Sequence, residues 1–408
     1  MEKVKLNRHF ISDIFFYQEG PGVRKWQFTE SGVKLINVGN INKGKIDLSS
    51  TKINISEEEA NGKYSHFLID EGDLLIACSG IVVENFHNKI AFINKEHLPL
   101  CLNTSTMRFK ELPEKKGDLN FLKYFLQTND FKSQLGKLIT GSAQLNFGPS
   151  HIRKIEIPLP PIITQQKIAA ILDQASAIVA NNRAIVQKYD ALTQSLFLDM
   201  FGDPVKNEKG YYKSTVGELC LVKGGKRVPK NDKLVKENTG YPYIKAGNIK
   251  KGKVTTKDLE FLLPQTREKL KRYIVNEGDV CITVVGVNIG DIGVVPKELH
   301  KANLTENANK LLIKDLEILN NFYLSFYLQM DFVQQEITKK TMAVGVPKLA
   351  LFRIQQIEIL LPPLLLQNQF ADRVQAIDSQ KQQAQLELVK SEALFQSLLQ
   401  GAFKGELS

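Results

Sequence analysis

The sequence predicts an α+β chain: two β-rich domains joined by two long helices that form an antiparallel coiled coil, the whole a pseudo-twofold internal repeat. Three observations predict it. "KIEIPLPPIITQQKIAAIL" from Lys154 returns as "QIEILLPPLLLQNQFADRV" from Gln356. The stretch before each copy holds short β-branched runs broken by Gly, Asn and Asp. The stretch after each double proline reads as one helix of roughly 35 residues, about 50 Å at the helical rise and longer than covering a single domain requires.

Laid over each other, Ile155 falls on Ile357, Pro160 and Pro161 on Pro362 and Pro363, Gln165 on Gln367, and Ser195-Leu196 on Ser397-Leu398, each 202 positions later. That register reaches upstream through Arg108 with Lys310, and "YFLQ" at Tyr124 with "FYLQ" at Phe326. Further upstream it drifts. "INVGNINKGKI" at Ile36 matches "IKAGNIKKGKV" at Ile244, 208 positions on, and "EGDLLI" at Glu71 matches "EGDVCI" at Glu277, 206 on. Insertions therefore fall in the front of each half, and the chain divides at 1–150, 151–202, 203–345 and 346–408.

The front parts are strand-like in "KLINVGNI", "DLLIACSG", "DVCITVVG" and "IGVVP". A short helix follows in each, with apolar Phe121, Tyr124 and Phe125 in the first copy and a start near Phe322 in the second. The long helices open after prolines, which suit a first turn. Ile168, Ile171, Ala175, Ile178, Asn182, Ile185, Tyr189, Leu192 and Leu196 step by three and four. So do Phe370, Val374, Ile377, Lys381, Ala384, Leu388, Ser391, Phe395 and Leu398. Two seams of equal length in one chain pack on each other as a coiled coil, and an antiparallel pairing sets Asn182 opposite Ala384. The plainer alternative is that each helix covers its own domain.

At 408 residues the chain suits two or three domains, and 43% hydrophobic with 24% charged residues is a globular balance. No run of about 18 apolar residues spans a bilayer, and "MEKVKLNRHF" lacks the apolar stretch of a signal peptide, so cytoplasm is expected and no membrane partner. Cys78, Cys101, Cys220 and Cys281 form no CxxC pair and read as ordinary buried thiols, and the six histidines show no metal-ligand spacing. An excess of Lys and Arg, 54 against 44 Asp and Glu, gives +10 and attracts polyanions, nucleic acid above all. Catalytic patterns fail in turn. "VKGGKRVPK" has Cys220 where a phosphate loop needs its first Gly and Arg227 where it needs Ser or Thr. "FGDPVKNEKG" at Phe201 carries nuclease-type residues out of order and reads as a turn between halves. Leu159-Pro160-Pro161-Ile162 and Leu361-Pro362-Pro363-Leu364 offer no acceptor for a base amine.

Two variable β-rich segments, each followed by an "I-P-L-P-P-x-x-x-Q" exit and a long helix, resemble the specificity subunit of type I restriction-modification enzymes over essentially the whole chain. "TGSAQLNFGPSHIRKIEIPLPPIITQQKIAAILD" and "LFLDMFGDPVKN" look especially like that family's central region. Thr164 and Leu366 stand where the family pattern has Glu. The resemblance implies two target-recognition domains (1–150 and 203–345), held apart by two antiparallel helices, each binding half of an asymmetric bipartite site in double-stranded DNA. It implies no catalytic centre and no cofactor here. Two modification (methyltransferase) subunits would bring S-adenosylmethionine, and restriction (translocase/nuclease) subunits would use ATP and Mg. The helices' outer faces and the turns after Pro161 and Pro363 would dock the modification subunits.

Phosphate contacts give affinity and base-edge contacts give choice. Loops that differ in length after matched strands carry the base contacts: Asn85, His87 and Lys89 in "IVVENFHNK" after Gly80, and Thr283 with Asn288 around Gly286. Lys226, Arg227 and Lys230 form a Gly-flanked basic loop suited to phosphate. Lys43 and Lys45 follow the first "GNI", with Lys250, Lys251 and Lys253 after the second, and Arg108 and Lys310 hold equivalent places. Trp26 and the other aromatics read as core. The rival reading is a non-catalytic scaffold, two β domains on a coiled coil that assemble proteins, which leaves the +10 charge unexplained. If the helices set the half-site spacing, deleting one heptad from both removes about 10 Å, roughly three base pairs. Methylation or binding assays on duplexes of graded spacer should then show the optimum moving by that amount, and an unmoved optimum counts against the idea.

Overall fold

The protein's structure, a computed structural model, describes residues 6–49, 51–139, 146–341 and 347–407. The "TGSAQL" part of the central motif lies outside them. The chain forms two compact units, Met1–Ala184 with Gln385–Ser408, and Ile185–Ala384. The last 24 residues thus belong with the first unit, a grouping that a linear division into segments does not follow.

In the first unit an antiparallel sheet orders its strands Phe15–Glu19, Thr106–Glu111, Leu74–Ala77 and Ile90–Phe92. Leu74, Leu75, Ile76 and Ala77 are all fully buried, so this central strand is apolar on both faces and reads as a continuous run, not an alternation. A smaller sheet, Asn54–Ile55, Val33–Leu35 and Leu100–Cys101, carries its own core. The second unit repeats the plan with a six-stranded sheet. Cys220–Gly224, Ala308–Ile313, Val280–Thr283 and Ile292–Val294 come first, and the hairpin Gly252–Val254 and Ile249–Lys250 extends it.

The two repeated phrases of the front segments are turn chemistry. In each "GNI" the Asn is buried and closes a hairpin. Asn40 Oδ1 accepts from Asn37 N at 2.9 Å and its Nδ2 donates to Asp47 O at 2.9 Å. Asn248 does the same with Lys245 N at 3.0 Å and Lys257 O at 2.9 Å. In "EGD" the Asp accepts from the backbone three residues earlier, Asp73 from Asp70 N at 3.1 Å and Asp279 from Asn276 N at 2.8 Å. The intervening Gly72 (φ 86°) and Gly278 (φ 84°) take the left-handed conformation this turn needs.

The long helices span Ile162–Phe201 and Leu364–Ala402. Within each unit they run antiparallel. In the first unit Ile168 and Leu172 share a core with Leu399 and Ala402, and Arg183 pairs with Glu392 at 2.7 Å. In the second, Phe197 and Phe201 pack on Phe370, with ring centroids 5.6 and 5.3 Å apart, and Asp190 pairs with Lys381. Asn182 Nδ2 donates to Ser391 Oγ at 3.1 Å. Its partner is thus Ser391, one heptad along from the Ala384 that pairing the helices midpoint to midpoint gives. The Arg183–Glu392 pair and the shared core of Ile168 and Leu172 with Leu399 and Ala402 fix the register in the first unit. Among the described residues no helix is long and apolar enough to cross a membrane. All four cysteines are buried and unpaired; burial pushes the thiols of Cys78, Cys101 and Cys220 up to about 12.

The glutamine of the repeated exit is the joint between helix and domain. Gln165 is fully buried; its Oε1 accepts from Asp118 N at 2.9 Å, and its Nε2 donates to Lys116 O at 2.9 Å and Pro160 O at 2.8 Å. Gln367 repeats this with Asn320 N at 2.9 Å, Ile318 O at 3.0 Å and Pro362 O at 2.8 Å. Replacing either by Leu strands a buried N–H and two carbonyls, so Gln165→Leu or Gln367→Leu should lower stability by about 3 kcal/mol. The exposed neighbour change Gln166→Ala should stay within about 0.5 kcal/mol. Denaturant unfolding of the full chain measures both.

Candidate nucleic-acid interface

The strand register places one set of loops at the same end of both central sheets. Glu19 pairs with Met107 and Ala77 with Thr106, so the connections after Glu19, after Ala77 and before Thr106 leave together. In the second unit Gly224 pairs with Asn309 and Thr283 with Ala308, which gathers the loops after 224, after 283 and before 308. A close approach pins the first of these loops in each unit. Gly20 N donates to Thr106 O and Gly225 N to Ala308 O, both at 3.1 Å. A Cβ on Gly20 would lie 2.4 Å from the Asn103 backbone, and one on Gly225 2.0 Å from Thr305 O. Only glycine fits at either point.

Beyond these pinned glycines the chain is basic in both units. Lys226, Arg227 and Lys230 are all exposed in the second. Lys226 Nζ lies 6.0 Å from the centre of the Tyr273 ring, and Arg227 pairs with Glu306. Half-buried Asn288 and fully exposed Val287 project from the loop beside them, which is tied back by Gly286 N donating to Pro347 O at 3.3 Å. In the first unit the matching loop presents exposed Arg24, Lys25 and Trp26, none of which the sequence pattern singles out as a surface for a ligand. Trp26, expected in the core, is 80% exposed. The signal was the paired glycine: a basic run sits a few residues after it in each half.

Other predicted residues lie elsewhere. Lys43 and Lys251 occupy left-handed turn positions, φ 50° and 48°, of matched hairpins. Lys43 and His87 line a groove with Ser176, Arg183 and Glu392 of the long helices, and Lys251 and Lys253 line its counterpart with Asp190, Asp378 and Lys381. Lys253 pairs with Asp378 at 3.0 Å. Lys45 and Lys250 are exposed on the same hairpins, and Asn85 lies in the short helical segment Val83–Lys89. Lys89 Nζ donates to Val38 O at 3.1 Å and Ile41 O at 2.8 Å, so it holds the hairpin's backbone.

Three predicted residues are internal, and burial removes them from any ligand surface. Arg108 donates to Leu68 O, to Gln18 Oε1 and His66 O at 2.8 Å, and pairs with Asp73 at 3.4 Å. Lys310 donates to Ile274 O, the carbonyl equivalent to that of Leu68. Thr283 is fully buried in the central strand. Burial pushes the Asp73 carboxyl up against the pull of the Asp70 N–H, Lys110 and Arg108. It does the same to Asp279 against the Asn276 N–H, Lys310 and His300. Among the described residues no His, Cys, Asp and Glu gather as metal ligands would.

A family model for the type I restriction modification DNA specificity domain matches residues 4–188 and 208–389, one copy in each half. The chain belongs to this family of specificity subunits. It is 24% identical over 361 residues to the specificity subunit of the type I enzyme MjaIX of Methanocaldococcus jannaschii, covering 83% of this chain and 81% of that one. To the EcoKI specificity subunit of Escherichia coli it is 23% identical over 409 residues, 92% and 82% of the two chains. The crystal structure of an S subunit from M. genitalium superposes with a TM-score of 0.58 at 17% identity, covering 98% of this chain and 96% of that one. A chain from a type I restriction-modification system studied for its assembly and conformational transition gives 0.56 at 18% identity, with 99% and 100% covered. This specificity subunit, like its relatives, is the non-catalytic member of such a system. Its internal cations are structural parts: Arg108→Met should leave Lys110 as the one cation near buried Asp73, take donors from the Leu68 and His66 carbonyls, and lower stability by about 3 kcal/mol. Chemical denaturation checks this, and a change below about 1 kcal/mol would contradict the buried pair.

Proposed function

We propose that this specificity subunit binds double-stranded DNA, each unit reading one half of an asymmetric bipartite site through the loops at the glycine-pinned end of its central sheet. The observation that carries the reading is the matched placement. Two frameworks built alike present basic loops of different sequence, Arg24-Lys25-Trp26 in one and Lys226, Arg227 and Lys230 with Asn288 in the other. Cations there would neutralise phosphates, while the differing neighbours would meet base edges. The groove-lining lysines at 43, 251 and 253, with exposed Lys45 and Lys250, would add backbone contacts beside the long helices. The chain would work in the cytoplasm within a complex of two modification subunits, carrying S-adenosylmethionine, and of restriction subunits using ATP and Mg, itself binding no cofactor. Support for partner docking comes from the first long helix. Ile171 and Ile178 in the first unit, and Ile185 and Leu192 in the second, are 41–51% exposed although the heptad pattern set them in the helix–helix seam, and exposed apolar positions of this kind are what a partner covers.

Duplex binding should fall steeply with salt, and each of Lys226→Gln and Lys230→Gln should weaken it across all sequences and lower the slope of log K against log salt by about 1. Fluorescence anisotropy on labelled duplexes, titrated from about 50 to about 300 mM salt, measures this. Absence of binding, or binding indifferent to salt, would favour the protein-assembly scaffold instead.

A further inference from the structure

The one tryptophan of the chain stands where a folded protein seldom leaves such a side chain. Indole carries one of the largest apolar surfaces available, and burying it on folding would stabilise the domain. Trp26 remains 80% exposed all the same, although the residue after it is buried. The turn that displays it is fixed from inside. Gln27 Oε1 accepts from Arg24 N at 3.1 Å, and its Nε2 donates to Glu59 Oε1 at 2.8 Å and Tyr64 OH at 2.9 Å. Phe28 packs on the core of the small sheet, and Gly20 is clamped to the Asn103 backbone on the other side. The ring is therefore presented on a rigid turn, so engaging a ligand costs little backbone ordering.

We infer that Trp26 makes an aromatic contact with the bases of the first half-site while Arg24 and Lys25 hold the flanking phosphates. The inference rests on the DNA-reading role proposed above. Charge selects this occupant: two exposed cations precede the ring, on a loop whose counterpart in the other unit carries Lys226, Arg227 and Lys230. An apolar face for a protein partner needs no such cations. Stacking of a base or base step on indole is tolerant of sequence in energy but demanding in geometry, which suits a wedge beside hydrogen-bonding loops. The second unit has no aromatic in "KGGKRVPK". The contact would thus serve one half-site only.

A single tryptophan makes the test direct. The probes are a fluorescein-labelled duplex selected by the full chain from a random-sequence library, and a mixed-sequence duplex of equal length. Selective excitation of indole reports Trp26 alone, while anisotropy reports binding independently. The selected duplex should quench Trp26 emission. Trp26→Ala should weaken binding of that duplex by about 10-fold and relax base preference in one half-site, and Trp26→Phe should restore part of it. Because the side chain is exposed, both variants should unfold at the wild-type denaturant midpoint. Unchanged emission and unchanged affinity in Trp26→Ala, with normal salt-dependent binding, would overturn the inference and leave the DNA-reading role standing. So would a variant that binds DNA normally but no longer co-purifies with the modification subunits. If the wild-type chain selects no duplex at all, both readings fall together.

Discussion

A buried carboxamide couples each long helix to its β-rich domain, and the remaining geometry follows from that joint. Gln165 and Gln367 each present one acceptor and two donors to backbone groups from two different loops. A carboxamide is the smallest neutral side chain that can satisfy an N–H and two carbonyls at once without burying a charge. It also fixes orientation: the helix axis leaves the domain at the angle the three bonds allow, about one turn after the prolines. The aromatic packing of Phe121 and Phe125 on Phe403, and of Phe197 on Phe326 and Phe370, then seats the partner helix beside it. In the first unit the register that results brings Asn182 to Ser391.

Cations divide into two populations with opposite physics. Arg108 and Lys310 are desolvated, and each holds a backbone carbonyl a few residues before its own "EGD" aspartate, Leu68 O in one unit and Ile274 O in the other. They tie the central sheet to the segment before the "EGD" turn. Removing one would leave its backbone carbonyl unpaired and weaken the support of a buried carboxylate that otherwise keeps a backbone N–H and one more distant cation. Lys226, Lys230, Arg24 and Lys25 keep their hydration and long-range field, the properties that attract a polyanion and respond to salt. The same residue type therefore serves the fold or the ligand according to whether its strand neighbours are buried.

Periodicity and self-similarity made the architecture legible in the sequence. The 202-residue register, the proline exits and the heptad seams led to two units and antiparallel helices, and the mismatch of registers located the variable fronts. The site was legible only in part. Arg108 lies in "TMRFKE" and Lys310 in "ANKLLI", where one cation among apolar residues can point either way; the carboxylate that Arg108 meets is 35 residues upstream, and the carbonyl that Lys310 meets belongs to a distant strand. Thr283 looked like a loop donor because its strand ends beside a glycine, yet the ladder to Ala308 keeps it inside. Trp26 departs from the average behaviour of its residue type. Its hydrophobicity favours the core, but its neighbours Arg24 and Lys25 could not be buried with it, and the chain resolved that conflict by burying Gln27 instead.

Differences between the halves fall where the shared framework does not reach. Asn40 and Asn248 close their hairpins with the same bonds, yet the second hairpin ties itself to its long helix through Lys253 and Asp378, while Lys45 and Ser176 hold those places in the first. Exchange of such surface residues leaves the glutamine joint, the clamped "EGD" turn and the pinned glycines untouched. A loop that begins at a glycine with no room for a Cβ starts from a fixed point and direction whatever its sequence. Variation can therefore accumulate beyond that point at little cost in stability, which is the condition a protein must meet if one scaffold is to present many different reading surfaces.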